Sequence, residues 1–301
     1  MATPQNGIFA QGTHAHHFLE FDLKASILDA RTISAFQSLR APGVSAGGIN
    51  FVIAFGPDVW RTIAPKQAPA DLVSFKELGV AGETFVPAHQ HDVWIWISGS
   101  SPDMTFDNAR AAWLALSDVA TLQDEQQAFV YHDSRDMTGF IDGTANPEPL
   151  NAPEVALVPT GMPGEGGSHV LVMRWVHNLV AFHALPIQEQ ENVIGRTKAG
   201  SIEMTDARLP IDAHIARMQV TVKGEELEIY RRSVPYGSVE RHGLYFVAFS
   251  AERTRYDKML ERMFGLTEDR VHDRLIDFSR PMGGAFYFAP SLTLLREMGN
   301  P

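Results

Sequence analysis

The chain has no cysteine among its 301 residues. Disulfides, thiolate metal sites, iron–sulfur clusters and cysteine nucleophiles are thereby excluded, and a reducing compartment fits. Any metal centre must draw on histidine or carboxylate. Positive charge is also short, with 25 Lys and Arg against 36 Asp and Glu and a formal net charge of −11. Proteins that neutralise phosphates need a basic face, so nucleic acid is not an expected partner. Long apolar runs are missing too. No stretch approaches the roughly 18 apolar residues of a membrane span, and the N-terminus has no basic region followed by an apolar one. The single Arg-Arg pair, Arg231-Arg232, lies deep inside the chain, so a cytoplasmic protein without a membrane partner is expected.

What is present reads as globular. Hydrophobic residues make up 45% and charged residues 20%, with no low-complexity tract, and the length suits two packed halves. Over residues 17–24, Leu19, Phe21 and Leu23 alternate with Glu20, Asp22 and Lys24, the period-two pattern of a half-buried strand. A helix-permitting stretch runs to about Leu39. Strands follow at 49–55 and 93–98, a helix at 107–116 behind a possible Asp107 cap, and an apolar stretch at 129–131. The second half repeats the rhythm: strand 170–176, helix 187–195, strands 226–233 and 244–250, helix 254–264, strand 285–288. This β-α-β-β-α-β order, met twice, predicts an α+β protein of two ferredoxin-like halves with antiparallel sheets. The expected domains are 1–135 and 136–301, the second including the Gly- and Pro-rich connection 133–167, whose length suggests a functional role.

Within that connection lies Gly139-Phe140-Ile141-Asp142-Gly143-Thr144-Ala145-Asn146-Pro147. Two glycines and a proline set an irregular backbone around one carboxylate. Taken alone, Asp142-Gly143 reads as a turn in which the aspartate bonds its own backbone. The second half adds Asn192-Val193-Ile194-Gly195-Arg196-Thr197-Lys198, then Ala213-His214-Ile215-Ala216-Arg217, then Ile229-Tyr230-Arg231-Arg232-Ser233-Val234-Pro235-Tyr236-Gly237, and finally Phe286-Tyr287-Phe288-Ala289-Pro290-Ser291.

The nine-residue run resembles the G-x-x-D-G-T-x-N-P signature of the dye-decolourising peroxidases, and the later segments fit at matching order and spacing. The resemblance, to the short bacterial B-type branch, covers essentially the whole chain. It implies one b-type haem per chain, held mainly by the C-terminal half, with His214 as axial iron ligand and Arg196 as a haem-propionate partner. Asp142, Arg231 and Ser233 become the distal polar groups, although relatives often carry Asn at the last position. The implied activity is reduction of hydrogen peroxide and oxidation of dyes, phenols or other one-electron donors through a ferryl intermediate. The resemblance also implies a homo-oligomer, and the short C-terminus suggests that no encapsulin-targeting tail follows.

Alternation along a strand puts Arg231 and Ser233 on one side and Arg232 on the other. An imidazole ligand on iron wants a carboxylate on its second nitrogen. Asp273 and Asp277 both qualify, four apart and so on one helix face, and Asp273 is favoured. His14, His16, His17, His89 and His91 have spacings a zinc site could use, but no second ligand pair with clear context accompanies them, and polar strand-edge or loop positions are the plainer reading. Two rivals remain: a non-catalytic haem-binding or haem-delivery protein, which would need neither Asp142 nor Arg231, and another haem enzyme of the ferredoxin-like superfamily acting on chlorite or the porphyrin.

Overall fold

The structure, a computed structural model, describes residues 2–25, 28–39, 48–80, 82–205 and 208–298. In the first half β1 (Ala15–Leu23), α1 (Ala30–Ser38), β2 (Asn50–Phe55) and α2 (Pro57–Ile63) lead to a small hairpin, β3 (Leu78–Val80) and β4 (Glu83–Val86). Then come β5 (Val93–Gly99), α3 (Pro102–Leu116) and β6 (Ala120–Phe129). The second half contains α4 (Ala152–Ala156), β7 (Ser168–His177), α5 (Leu179–Ala184), α6 (Ile187–Ile194), α7 (His214–Met218) and a second hairpin, β8 (Thr221–Val222) with β9 (Glu225–Glu226). It closes with β10 (Tyr230–Arg231), β11 (Val234–Gly237), β12 (His242–Ser250), α8 (Thr254–Met263), β13 (Ser279–Ala289) and α9 (Leu292–Glu297). Among the described residues no helix is long and apolar enough to cross a membrane.

Strand order is β10-β12-β7-β13-β2-β5-β1-β6, with β11 also on β12 and every neighbour antiparallel. Each half therefore shows the ferredoxin-like order of fourth, first, third and second strand, and the halves meet where Phe288 pairs with Phe55. Alternation divides the apolar residues cleanly. In β5, Val93, Ile95 and Ile97 join Phe36, Phe55 and Leu116 under the first-half helices, while Trp94 and Trp96 point the other way. There they meet Tyr245, Val247, Phe249 and Tyr287, so the inner faces of the two halves form a shared aromatic core. On the outer face of the second half, Leu171, Met173 and Trp175 look towards α8.

Four sequence expectations need correction. α3 starts at Pro102, with extended Ser101 before it, because proline's fixed φ suits the first helical position; Asp107 lies inside the helix and caps nothing. β6 fills 120–129, where polar residues obscured an edge strand that alternates in exposure. The predicted strand 226–233 is split between the β8–β9 hairpin and β10. Asp273 and Asp277 do not share an α-helical face: Asp273 precedes and caps a 3-10 turn, Arg274–Asp277. The 133–167 connection carries α4 and several turns.

Candidate active site

The C-terminal outer sheet face opens into a cavity of about 310 Å³, continued by an adjoining pocket of about 140 Å³. His214, Asp142, Arg231, Trp175 and Phe246 border both. The floor is Leu171, Met173 and Trp175 from β7, and the roof includes Ile215 and Met218 of α7 with Met259, Leu260 and Met263 of α8. Such soft apolar side chains suit a large flat ligand.

His214 begins α7. Its Nδ1 lies 2.6 Å from Asp273 Oδ2, and Asp273 is fully buried. The other Asp273 oxygen accepts from Leu275 N at 2.9 Å, so the carboxylate is held by its own turn. Nδ1–H donates to it, which leaves Nε2 with an unused lone pair at the cavity. Asp277 instead pairs with His272 at the surface, 3.1 Å away.

Asp142 and Arg231 come from distant segments. Gly139 and Gly143 have φ of +92° and +78°, a region costly for side chains with a Cβ, and between them the loop turns Asp142 inward. One Asp142 oxygen accepts from Gly143 N at 2.6 Å. Loss of water raises the Asp142 pKa above the usual carboxylate range; nearby Arg231 works against this and the Asp136 charge adds to it. Asp136 itself is desolvated, yet hydrogen bonds from His177 and Thr138 outweigh that and hold it down to about 2.

Arg231 pairs across from Ala248, Arg232 N donates to Val247 O, and Val234 pairs with Tyr245. The register thus continues through Arg232 and Ser233 although the strand labels break there. Arg231 borders the cavity, whereas the Arg232 guanidinium lies over the Trp96 ring of the shared core. Ser233 borders a neighbouring recess, and its hydroxyl accepts from Val247 N at 3.3 Å; it is not among the residues bordering the His214 cavity. Arg196 borders the cavity with its guanidinium held by Ser201 O at 2.9 Å and Glu203 at 2.5 Å.

The description "Dyp-type peroxidase, N-terminal" matches residues 5–130 and "Dyp-type peroxidase, C-terminal" matches residues 133–294. The chain belongs to the Dyp-type peroxidase family. It is 33% identical over 269 residues to a dye-decolorizing peroxidase of Rhodococcus erythropolis, covering 88% of this chain and 79% of that one. A dyp-type peroxidase protein of Shewanella oneidensis superposes with a TM-score of 0.93 at 31% identity, covering 100% of both chains. A variant of Rhodococcus jostii DypB in complex with heme gives 0.91 at 30% identity, covering 99% of each chain.

Within this Dyp-type chain, sequence reasoning missed Asn146. Its Nδ2 donates to Arg231 O at 2.8 Å, and its Oδ1 accepts from Arg231 N at 2.9 Å. The signature asparagine therefore clamps the backbone of the very arginine that faces Asp142. The run of sequence held the residue, but no local pattern says which strand it grips. Also missed was Asp136–His177–Ser279, with contacts of 3.0 and 2.8 Å beside the cavity. Of the other histidines singled out in the sequence, His17 contacts Glu125 at 2.6 Å and His91 contacts Asp22 at 2.9 Å. His16 and His17 are buried within β1 rather than at a polar edge.

Proposed function

We propose that the cavity around His214 holds one b-type haem and that the chain uses it to reduce hydrogen peroxide with electrons from organic one-electron donors. The observation that carries this reading is an imidazole whose Nδ1 is bound to a buried carboxylate and whose Nε2 is free in an apolar cavity also faced by Asp142 and Arg231. The donor set fits haem iron. His214 would hold the iron of a bound haem, which would supply the redox chemistry that peroxide reduction needs.

The chain's own groups do the rest. Asp273 fixes the His214 tautomer and increases its electron donation. Asp142, when ionised, takes a proton from peroxide and returns it to the departing oxygen. Arg231 cannot release its proton at working pH; it stabilises negative charge developing at that oxygen as a preorganised donor. Asn146 keeps Arg231 in place, and Arg196 reaches the cavity from a position suited to a haem carboxylate. Ser233 is assigned a lesser role through water, since it borders the adjoining recess. A haem carrier would need no Asp142–Arg231 pair, which favours catalysis over delivery.

The boundary near residues 135/136 belongs to the same proposal and is supported by the two matched family segments. Self-association is proposed as well, supported by exposed Phe106, Trp113 and Leu114 along α3. The deciding measurement is a visible spectrum of purified protein before and after one equivalent of hydrogen peroxide. A Soret band that changes on peroxide addition is expected. Protein that fails to take up haem on reconstitution overturns the reading.

A further inference from the structure

Asp142 and Arg231 also border a second recess, of about 440 Å³, which opens on their far side between β1 and residues 230–235. One wall is His16, 3% exposed. The Trp96 Nε1–H donates to His16 Nδ1 at 3.1 Å. An indole nitrogen can only donate, so Nδ1 must be the unprotonated acceptor. Burial and the nearby Arg232 charge keep this ring neutral, with its pKa lowered to about 3. The ring proton is then on Nε2; the Thr13 backbone lies close enough to favour it, yet no hydrogen bond of ordinary geometry takes it up. Arg231 Nε is a buried donor without a partner.

Arg232 supplies the charge. Its guanidinium is 5.0 Å from the centroid of the Trp96 ring and donates to Ile8 O at 2.7 Å. Burial disfavours its charge and the Tyr230 phenol favours it, and among the described residues no carboxylate forms an ion pair with it. A desolvated cation beside one unmatched and one poorly satisfied donor is an expensive arrangement unless an anion completes it. Of the carboxylates bordering the recess, Asp142 already serves Gly143 N and faces Arg231, and Glu148 is exposed.

We propose that this recess binds a small organic carboxylate of about benzoate size, its oxygens between Arg232 and His16 Nε2 and its ring towards Tyr131 and Tyr230. The volume is within the range of small-molecule clefts, roughly 300–1,000 Å³, and ample for more than an inorganic ion. Inorganic oxyanions share the recognition chemistry, so the test must separate the two. The binding site stands on the recess alone; only its coupling to peroxide turnover, through shared Arg231, rests on the haem reading.

The test is calorimetric titration of haem-loaded protein with benzoate, neutral benzamide and nitrate. Benzoate is expected to bind at one site with the Soret band unmoved, and benzamide about tenfold or more weaker, as loss of a charge-assisted hydrogen bond implies. Arg232→Leu should weaken benzoate by a similar factor, and Arg232→Lys should retain most of the binding. Nitrate binding with benzoate excluded overturns the organic assignment. A Soret shift on benzoate addition overturns the location, and equal binding of benzoate and benzamide overturns the charge argument. Absent benzoate binding, or full binding by Arg232→Leu, overturns the site. Should Arg232→Leu fail to fold, the benzoate–benzamide pair and Arg232→Lys still decide. Failure of the haem reading would appear separately, as a missing Soret band.

Discussion

The outer sheet faces of the two halves have the same strand order and opposite fates. In the first half, α1 and α3 close directly on the sheet, and Phe36, Phe55, Trp60 and Leu116 fill the space. Among the described residues, the stretch 178–229 between the first and second strands of the second half carries three helices and a hairpin, where the corresponding stretch of the first half carries the short α1. This longer excursion brings α7 over the sheet while α8 stands opposite, and the cavity lies beneath them. Topology alone therefore does not make the site. It comes from what the crossover carries, and polar groups collect only where the face is open.

The sharpest way to break this contrast is to remove His214. His214→Ala should lose nearly all tightly bound haem, whereas His17→Ala, in the first half, should retain it. Acid-extractable haem per chain measures both. Equal haem content in the two variants would remove His214 from the site and the asymmetry with it.

The closed face can be tested by opening it. Phe55 is fully buried, edge-on to Phe36 at 5.0 Å and stacked on Trp60 at 5.7 Å. Phe55→Ala should cost about 3–5 kcal/mol of stability, the usual range for such a truncation. Denaturant melts would show a lower midpoint while haem stoichiometry stays unchanged. A second haem bound by this variant would mean that cavity volume alone specifies the ligand.

Next in size come the polar groups of the open face. Arg231→Leu should slow the spectral change that peroxide produces by about a hundredfold, as for loss of one preorganised donor. Asp142→Ala should slow it less, because water can carry the proton. Stopped-flow absorbance across peroxide concentrations ranks them, and a slower Asp142→Ala would make the carboxylate the essential group. The wild-type rate should also fall as pH drops through the Asp142 pKa. Because desolvation raises that pKa, the fall should begin at a higher pH than for an ordinary carboxylate, and Asp142→Ala should lack it.

Much of this was legible in the sequence, for reasons that differ by residue. Asp142 could be found because glycines and a proline leave a recognisable run, and Asp273 because an imidazole ligand calls for a carboxylate. Ser233 was harder: alternation groups it with Arg231, yet it borders the neighbouring recess and not the His214 cavity. β6 was hidden because an edge strand with one solvated face tolerates Gln, Asp and Glu. Asn146 was in view but mute, since its partner is 85 residues away. Asn146→Ala should therefore slow the peroxide step by about tenfold, the scale of a small displacement of a catalytic group, without changing haem content. A rate equal to wild type would show that β12 alone holds Arg231.

The smallest expected effect concerns Arg232, and it tests the register on which the contrast between faces depends. Arg231 and Arg232 have the same chemistry and adjacent positions, so composition cannot distinguish them. Pairing can: Arg231 opposes Ala248, whose side chain belongs to the outer core, while Arg232 N bonds to Val247 O and its guanidinium covers Trp96 in the inner core. The charge on that side borders the recess and lies over the Trp96 ring, and Arg232 is not among the residues that border the His214 cavity. Arg232→Leu should accordingly leave the peroxide step close to wild type in stopped-flow traces, even as it weakens carboxylate binding in the recess. If Arg232→Leu is instead the slower of the two leucine variants, the strand is displaced by one residue, and the side chains assigned to the two faces must be exchanged.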